Sequence, residues 1–149
     1  MYAKILVAID LRKESRRIIK KAASLLKPNG KLVLLHVIEP SEFGLFSAFP
    51  FGVLADVQDA ESKVMVAAQS KMNALLKAFK LSEKSALIEV GKASRVIKSK
   101  AEELKSDLIV IGTHGQKGYE LLLGSTANGV TQGAPCDVLT LQMRINKKR

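Results

Sequence analysis

Disulfides, tryptophan and long apolar runs are all missing from this chain of 149 residues, which holds one cysteine, no tryptophan and only four prolines. With Cys136 alone no intrachain disulfide can form, so stability must come from packing, and a reducing cytoplasm is the simpler setting. No apolar run approaches the roughly 20 residues that span a bilayer, because Lys, Asp or Glu breaks each candidate. The opening Met1-Tyr2-Ala3-Lys4 into Ile5–Ile9 is too short for a signal peptide's apolar stretch and cleavage site. Secretion and membrane insertion are thereby disfavoured. Two histidines and one cysteine do not make a zinc site.

What is present is apolar and basic: 47% of residues are hydrophobic, and 24 Lys+Arg face 14 Asp+Glu for a net charge of +10. The length fits a single domain over 1–149, and a domain of this size buries roughly 68–70% of the surface its unfolded chain exposes. The charge is uneven. Arg12, Lys13, Arg16, Arg17, Lys20, Lys21 and Lys27 crowd one early segment, and Lys147, Lys148 and Arg149 close a basic tail over 144–149. Phosphate neutralisation would make nucleic acid a partner. A solvated helix face plus a tail accounts for most of the excess, however, and no aromatic is interleaved to stack on bases, so nucleic acid is the less favoured partner.

Periodicity sets the order of elements. Lys4–Asp10 (KILVAID) reads as a strand buried on both faces. From Ser15, Ile18, Ile19, Ala22, Ala23, Leu25 and Leu26 recur at helical spacing, and Lys27-Pro28-Asn29-Gly30 reads as a stop and turn. Lys31–Ile38 (KLVLLHVI) is a second strand, closed by Glu39-Pro40. The stretch 39–53 holds Phe43, Phe46, Phe49 and Phe51 among glycine and proline and reads as a long loop covering apolar surface. Val64, Ala68, Met72, Leu75 and Phe79 then mark a longer amphipathic helix. Ser85–Val90 is a third strand, Ala93–Leu104 a third helix, Leu108–Ile111 a fourth strand, Ser125–Val130 a short helix and Asp137–Leu141 a fifth strand. Alternating strands and helices imply an α/β fold, a five-stranded mainly parallel sheet with helices on both faces. Ligands of such sheets sit at the carboxyl ends of strands, where the strand order switches. Asp10, His36–Ile38 and Gly112–Gly115 lie at such ends.

The segment from Gly112 to Ser125 leaves a buried strand and reaches a helix start, with four glycines in thirteen residues, Gly112, Gly115, Gly118 and Gly124. Glycines admit close approach of a phosphate, and helix-start amides point at anions. Lys117 could add a cation and Ser125 a hydroxyl. Tight turns and close packing are the competing explanation. No Gly-Lys-(Ser/Thr) makes a Walker loop, and no GxGxxG follows the first strand.

With these motifs in place, the chain resembles the universal stress protein family over essentially its whole length. The likeness is carried by KILVAID, by Leu35-His36-Val37, by Asp107–Gly115, by Leu121–Ala127 and by Ala134–Leu139. It is nearest to the single-domain A-type bacterial proteins. The resemblance implies a Rossmann-like fold of the adenine nucleotide alpha hydrolase-like kind and a cytoplasmic homodimer induced under stress. It also implies an adenine-nucleotide site in some members and none in others. The binders' pattern is Gly-x2-Gly-x9-Gly-(Ser/Thr) with an acid after the first strand. By position, Asp10 is the acid, Val37 the second-strand contact, and Gly112, Gly115, Gly124, Ser125 and Thr126 the phosphate loop, with ATP and Mg2+ as the implied ligand. Here eight residues separate Gly115 from Gly124, against nine in the pattern. The alternative within the family is a non-binding dimer that works through protein contacts.

Individual residues weigh against dedicated catalysis. Asp10 either holds a ribose hydroxyl or a Mg2+ ion, or caps the turn before the first helix. His114 lacks a predictable nucleophile partner, so no catalytic residue is assigned and the chain is not expected to be a metabolic enzyme; slow ATP hydrolysis or phosphorylation of Ser125 or Thr126 is what the resemblance leaves open. Cys136 reads as a small core residue. The last strand, Val138–Met143, alternates and precedes the charged tail, so it is expected at a sheet edge and, by the resemblance, at a dimer interface.

Overall fold

Ile5, Leu6 and Val7 are fully buried, as a strand with apolar side chains on both faces requires. They sit at the middle of a computed structural model that describes residues 1–43, 54–114 and 123–143. Its strands are β1 (Tyr2–Ala8), β2 (Leu26–Ile38), β3 (Ala86–Val90), β4 (Leu108–His114) and β5 (Asp137–Met143). The helices are α1 (Ser15–Ser24), α2 (Leu54–Phe79), α3 (Ala93–Glu103) and α4 (Ser125–Thr131). All strand pairs are parallel, in the order β3-β2-β1-β4-β5. The expected α/β architecture is thus the observed one, and β5 lies at an edge.

The two sheet faces carry separate cores. Ile5, Val7, Ile9, Leu34, Leu108 and Val110 meet α1 through Ile18 and Ile19 and α2 through Met72 and Leu76. Leu6, Leu35, Ile109 and Ile111 meet α3 through Ile97 and Ala101 and α4 through Ala127 and Val130. The segment 39–53, expected as a loop, opens with a 3-10 turn at Pro40–Phe43. Positions 44–53 and the tail at 144–149 lie outside the described residues. Among the described residues no helix is long and apolar enough to cross a membrane.

One boundary differs from the sequence reading in an instructive way. Lys27–Gly30, expected as a stop and turn, lies inside β2 as an irregularity: Tyr2 pairs with Leu26, and the register then shifts so that Lys4 pairs with Lys31. Asn29 takes the left-handed backbone at φ 62°. A Cβ on Gly30 would stand 2.7 Å from Leu26 Cγ and 3.0 Å from Ala3 O, so only glycine lets the strand rejoin β1 there. Cys136 is half-buried, not fully so, because β5 is an edge strand. Burial first, then Asp137 and Asp107, push its thiol pKa up, which leaves it a poor nucleophile.

Helix α1 stands against its own electrostatics. Its first turn holds no acid, and Arg16 and Arg17 sit where the helix dipole favours anions. Arg16/Lys20 and Arg17/Lys21 are like-charge neighbours four residues apart on the helix, each destabilising by about 0.2–0.5 kcal/mol. The buried stripe of Ser15, Ile18, Ile19 and Ala22 holds the helix in place.

Two helices end without glycine where glycine is preferred. After α3, Lys105 adopts φ 52°, with Ser106 N–H donating to Ala101 O at 2.8 Å and Lys105 N–H to Glu102 O at 3.0 Å. After α2, Lys80 does the same at φ 53°, with Leu81 N–H donating to Leu76 O at 2.9 Å. Both are Schellman closures carrying an exposed lysine in a left-handed conformation. Lys105→Gly is expected to raise stability by about 1 kcal/mol, since glycine relieves the strained backbone. A urea midpoint unchanged or lowered in that variant would show that the lysine carries a compensating contact.

Candidate functional site

In the order β3-β2-β1-β4-β5 the sheet grows outward from β1 to one side through β2 and β3 and to the other through β4 and β5, so the carboxyl ends of the parallel strands β1 and β4 frame the switch point. Ala8 pairs with both Leu35 and Ile111. Two residues on, Asp10, Val37 and Thr113 therefore stand level with one another. By the two-residue alternation they follow Ala8, Leu35 and Ile111, which face α3 and α4. Gly124 opens α4 on that same face with extended backbone (φ −55°, ψ 154°) and no side-chain cap, followed by exposed Ser125 and half-buried Thr126. Residues separated by more than a hundred positions are thus gathered at one end of the sheet.

The turn after β1 is tightly built. The backbone N–H of Arg12 donates to Asp10 Oδ1 at 3.0 Å, Ser15 Oγ donates to the same oxygen at 3.3 Å, and Arg12 Nε lies 3.5 Å from Asp10 Oδ2. Leu11 between them takes φ 62°. Asp10 therefore caps the turn, the structural role weighed for it. Its side chain is still 31% exposed, so a ligand hydroxyl can share the carboxylate. Ser15, fully buried, explains why a polar residue begins an otherwise apolar helix stripe.

Val37 pairs with Glu89 of β3 and packs, half-buried, on the α3/α4 side. Its neighbour His36 points to the other face, with Nδ1 2.9 Å from Ile9 O. A carbonyl only accepts, so this nitrogen carries the proton, and His36 fastens β2 to the end of β1. Gly112 pairs with Leu141, and a Cβ there would come 2.8 Å from Ile18 Cδ1 and 3.2 Å from Met143 Cε. Close packing of α1 and β5 accounts for this glycine by itself. Thr113 Oγ1 donates to Leu141 O at 3.3 Å. Gly115 and Lys117 lie outside the described residues, as does the side chain of His114.

Two contributors escaped the sequence reading. Glu39, read only as a strand terminator, accepts the N–H of Ala93 at 3.0 Å and so caps α3 from a distant loop, where Lys92 makes no side-chain cap. Its own N–H donates to Glu42 Oε1 at 2.8 Å, tying the loop after β2 to the same corner. The second is Arg12, which the charge count placed in a basic run and the fold places on Asp10. The signal for Glu39 was its position at a strand end; the pairing with Ala93, 54 residues away, has no local signature.

Comparison with known proteins agrees with this geometry. The model of the universal stress protein family matches residues 1–142. Universal stress protein A homolog 2 of Coxiella burnetii is 37% identical over 146 residues, covering 96% of this chain and 97% of its own length. Among solved structures, the protein MJ0577, the subject of a structure-based assignment of biochemical function, superposes with a TM-score of 0.77 at 26% identity, covering 97% of this chain and 98% of its own. A universal stress protein solved in complex with cAMP has the same fold, with a TM-score of 0.56 at 24% identity and coverage of 94% and 96%. On the family match, the relatives and the switch-point architecture together, this chain belongs to the universal stress protein family.

Proposed function

We propose that the chain is a cytoplasmic, homodimeric stress-response module that binds an adenine nucleotide, ATP with Mg2+, and is regulatory, not a metabolic enzyme. The observation that carries this is the convergence of Asp10, Val37 and the Gly124–Thr126 helix start at the β1/β4 switch point. Asp10 would accept from a ribose hydroxyl, Val37 would line the base, and the amides and hydroxyls of Ser125 and Thr126 would meet phosphate. The residues present fit such a ligand: the Asp10 carboxylate is within reach of solvent and Ser125 is exposed. No three of His, Cys, Asp and Glu gather among the described residues, so a magnesium ion would be held mainly by the nucleotide's own phosphates. The place of β5 at the sheet edge among the described residues supports pairing of two copies through Val138–Met143.

Calorimetry and thermal shift with ATP and Mg2+ test the nucleotide reading. Ligand at a hundredfold over its dissociation constant stabilises by roughly 2.7 kcal/mol, which is several degrees for a domain of this size. Asp10→Asn keeps a side chain that caps turns well and removes the charge, so it is expected to fold normally and bind at least about tenfold more weakly, the loss of one charge-assisted hydrogen bond. A second reading, a dimer acting through protein contacts without nucleotide, is favoured by Gly112, whose lack of a side chain is explained by Ile18 and Met143. Absence of heat and of any shift at millimolar ATP would select it.

A further inference from the structure

Helix α1 turns its apolar stripe inward and shows almost nothing but positive charge. Arg12, Lys13, Arg16, Arg17, Lys20 and Lys21 are all exposed, with Glu14 the single acid among them. Arg12 is engaged by Asp10, and Arg17 Nη1 donates to the carbonyl of Gln142 at 3.2 Å. Among the described residues none of Lys13, Arg16, Lys20 and Lys21 has an acid within ion-pair distance; the other pairs lie on α2, on α3 and between α3 and β3. From Arg16 to Lys21 the helical face runs ~7.5 Å at 1.5 Å per residue, with Arg16/Lys20 and Arg17/Lys21 about one turn apart on a rigid rod, and Lys13 lies in the turn just ahead of it.

The fold adds what the charge count lacked. The Arg17–Gln142 bond joins this face to the carboxyl end of β5, and past Met143 the sequence continues into Arg144, Lys147, Lys148 and Arg149. Nothing aromatic or large and apolar is exposed among the α1 bases, so the face offers no platform for unpaired bases and no wedge for a bilayer. A rigid double row of phosphates needs neither, only charge. We propose that the outer face of α1 is an electrostatic docking surface for double-stranded nucleic acid, gripping the phosphate backbone without reading sequence.

The test is fluorescence anisotropy of a labelled duplex of arbitrary sequence with the full chain. If about four phosphates are neutralised, affinity should fall about a hundredfold between about 50 and 200 mM salt. Replacing Lys20 and Lys21 together by Gln removes two contacts and should reduce the log–log salt slope by about 1.8. Replacing Lys71 and Lys77 of α2 by Gln changes net charge equally and should leave slope and affinity unchanged. Both double variants exchange exposed residues for good helix formers, and unchanged melting curves establish that they fold. No duplex binding at about 50 mM salt, or an equal loss in the α2 variant, overturns the proposal. So does an outcome in which vesicles rich in phosphatidylserine bind through Lys20 and Lys21 while the duplex does not.

Discussion

Truncating Ile109 to alanine is expected to cost about 4 kcal/mol, near the upper part of the range for a fully enclosed isoleucine. Ile109 is 0% exposed and lies on β4 between its register partners Leu6 and Val138. It belongs to the core shared with Ile97 and Ala101 of α3 and with Ala127 and Val130 of α4. Three layers close on it, so neighbours have little freedom to collapse into the space left behind. For a domain of this size the loss corresponds to roughly 10 °C in Tm. Leu139→Ala is the matched comparison. Leu139 is half-buried on the edge strand β5, and relaxation toward solvent should hold its cost below about 2 kcal/mol. Urea denaturation with an unchanged m-value reads both. Equal losses in the two variants would mean that β5 is covered in solution, as pairing of two copies through that edge would do.

Asp107→Ala is expected to cost about 3 kcal/mol through a different mechanism. The β1–β4 ladder begins at Ile5 opposite Leu108. Ahead of it the Asp107 carboxylate takes the N–H of Ala3 at 2.8 Å and of Lys4 at 2.8 Å, while the Asp107 N–H donates to Lys4 O at 3.0 Å. Lys4 Nζ donates in turn to Leu104 O at 2.6 Å, tying the start of β1 to the end of α3. Removing the carboxylate leaves two strand donors unpaired, whereas Asp107→Asn keeps one acceptor and should lose about half as much.

The same clamp gives the stability a pH dependence. Burial opposes ionisation of Asp107, but the backbone N–H groups of Ala3, Lys4 and Asp107 itself, with the charge of Lys27, outweigh it and hold the folded pKa below the ordinary value. A carboxyl more acidic in the folded state contributes stability that is fully present above its unfolded pKa of about 3.9 and is lost as pH falls through the lower folded value. Wild-type stability should therefore drop on acidification below about pH 4, and Asp107→Asn should flatten that part of the profile. Parallel slopes in the two proteins would assign the acid sensitivity to other carboxylates.

Much of this molecule is written locally. The apolar runs KILVAID, KLVLLHVI and LIVI could only be strands covered on both faces, because a run with no polar alternation has no side to offer water. The spacing of Ile18, Ile19 and Ala22, and of Ala68, Met72 and Leu75, named buried positions of α1 and α2, while Ala23, expected on the same stripe, is exposed and Leu26 belongs to β2. Alternation of these elements left a parallel sheet as the natural packing, and the strand ends pointed to Asp10 and to Gly112. The same local logic failed at Lys27–Gly30, where proline, asparagine and glycine signal a turn. There Leu26 gains a partner in Tyr2, and the strand continues across the irregularity.

The sequence by itself determined which segments are strands and helices, which side of each is apolar, and where the charge lies, since these follow from side-chain chemistry at periods of two and 3.6 residues. Only the tertiary structure decided that β1 and β4 adjoin at the switch point, that Glu39 caps α3, that Asp107 closes on Ala3 and Lys4, and that Arg17 carries the basic face of α1 to the end of β5. Each of those contacts joins residues far apart along the chain. Whether it forms depends on the closure entropy and packing of the whole sheet, and no local pattern encodes that balance.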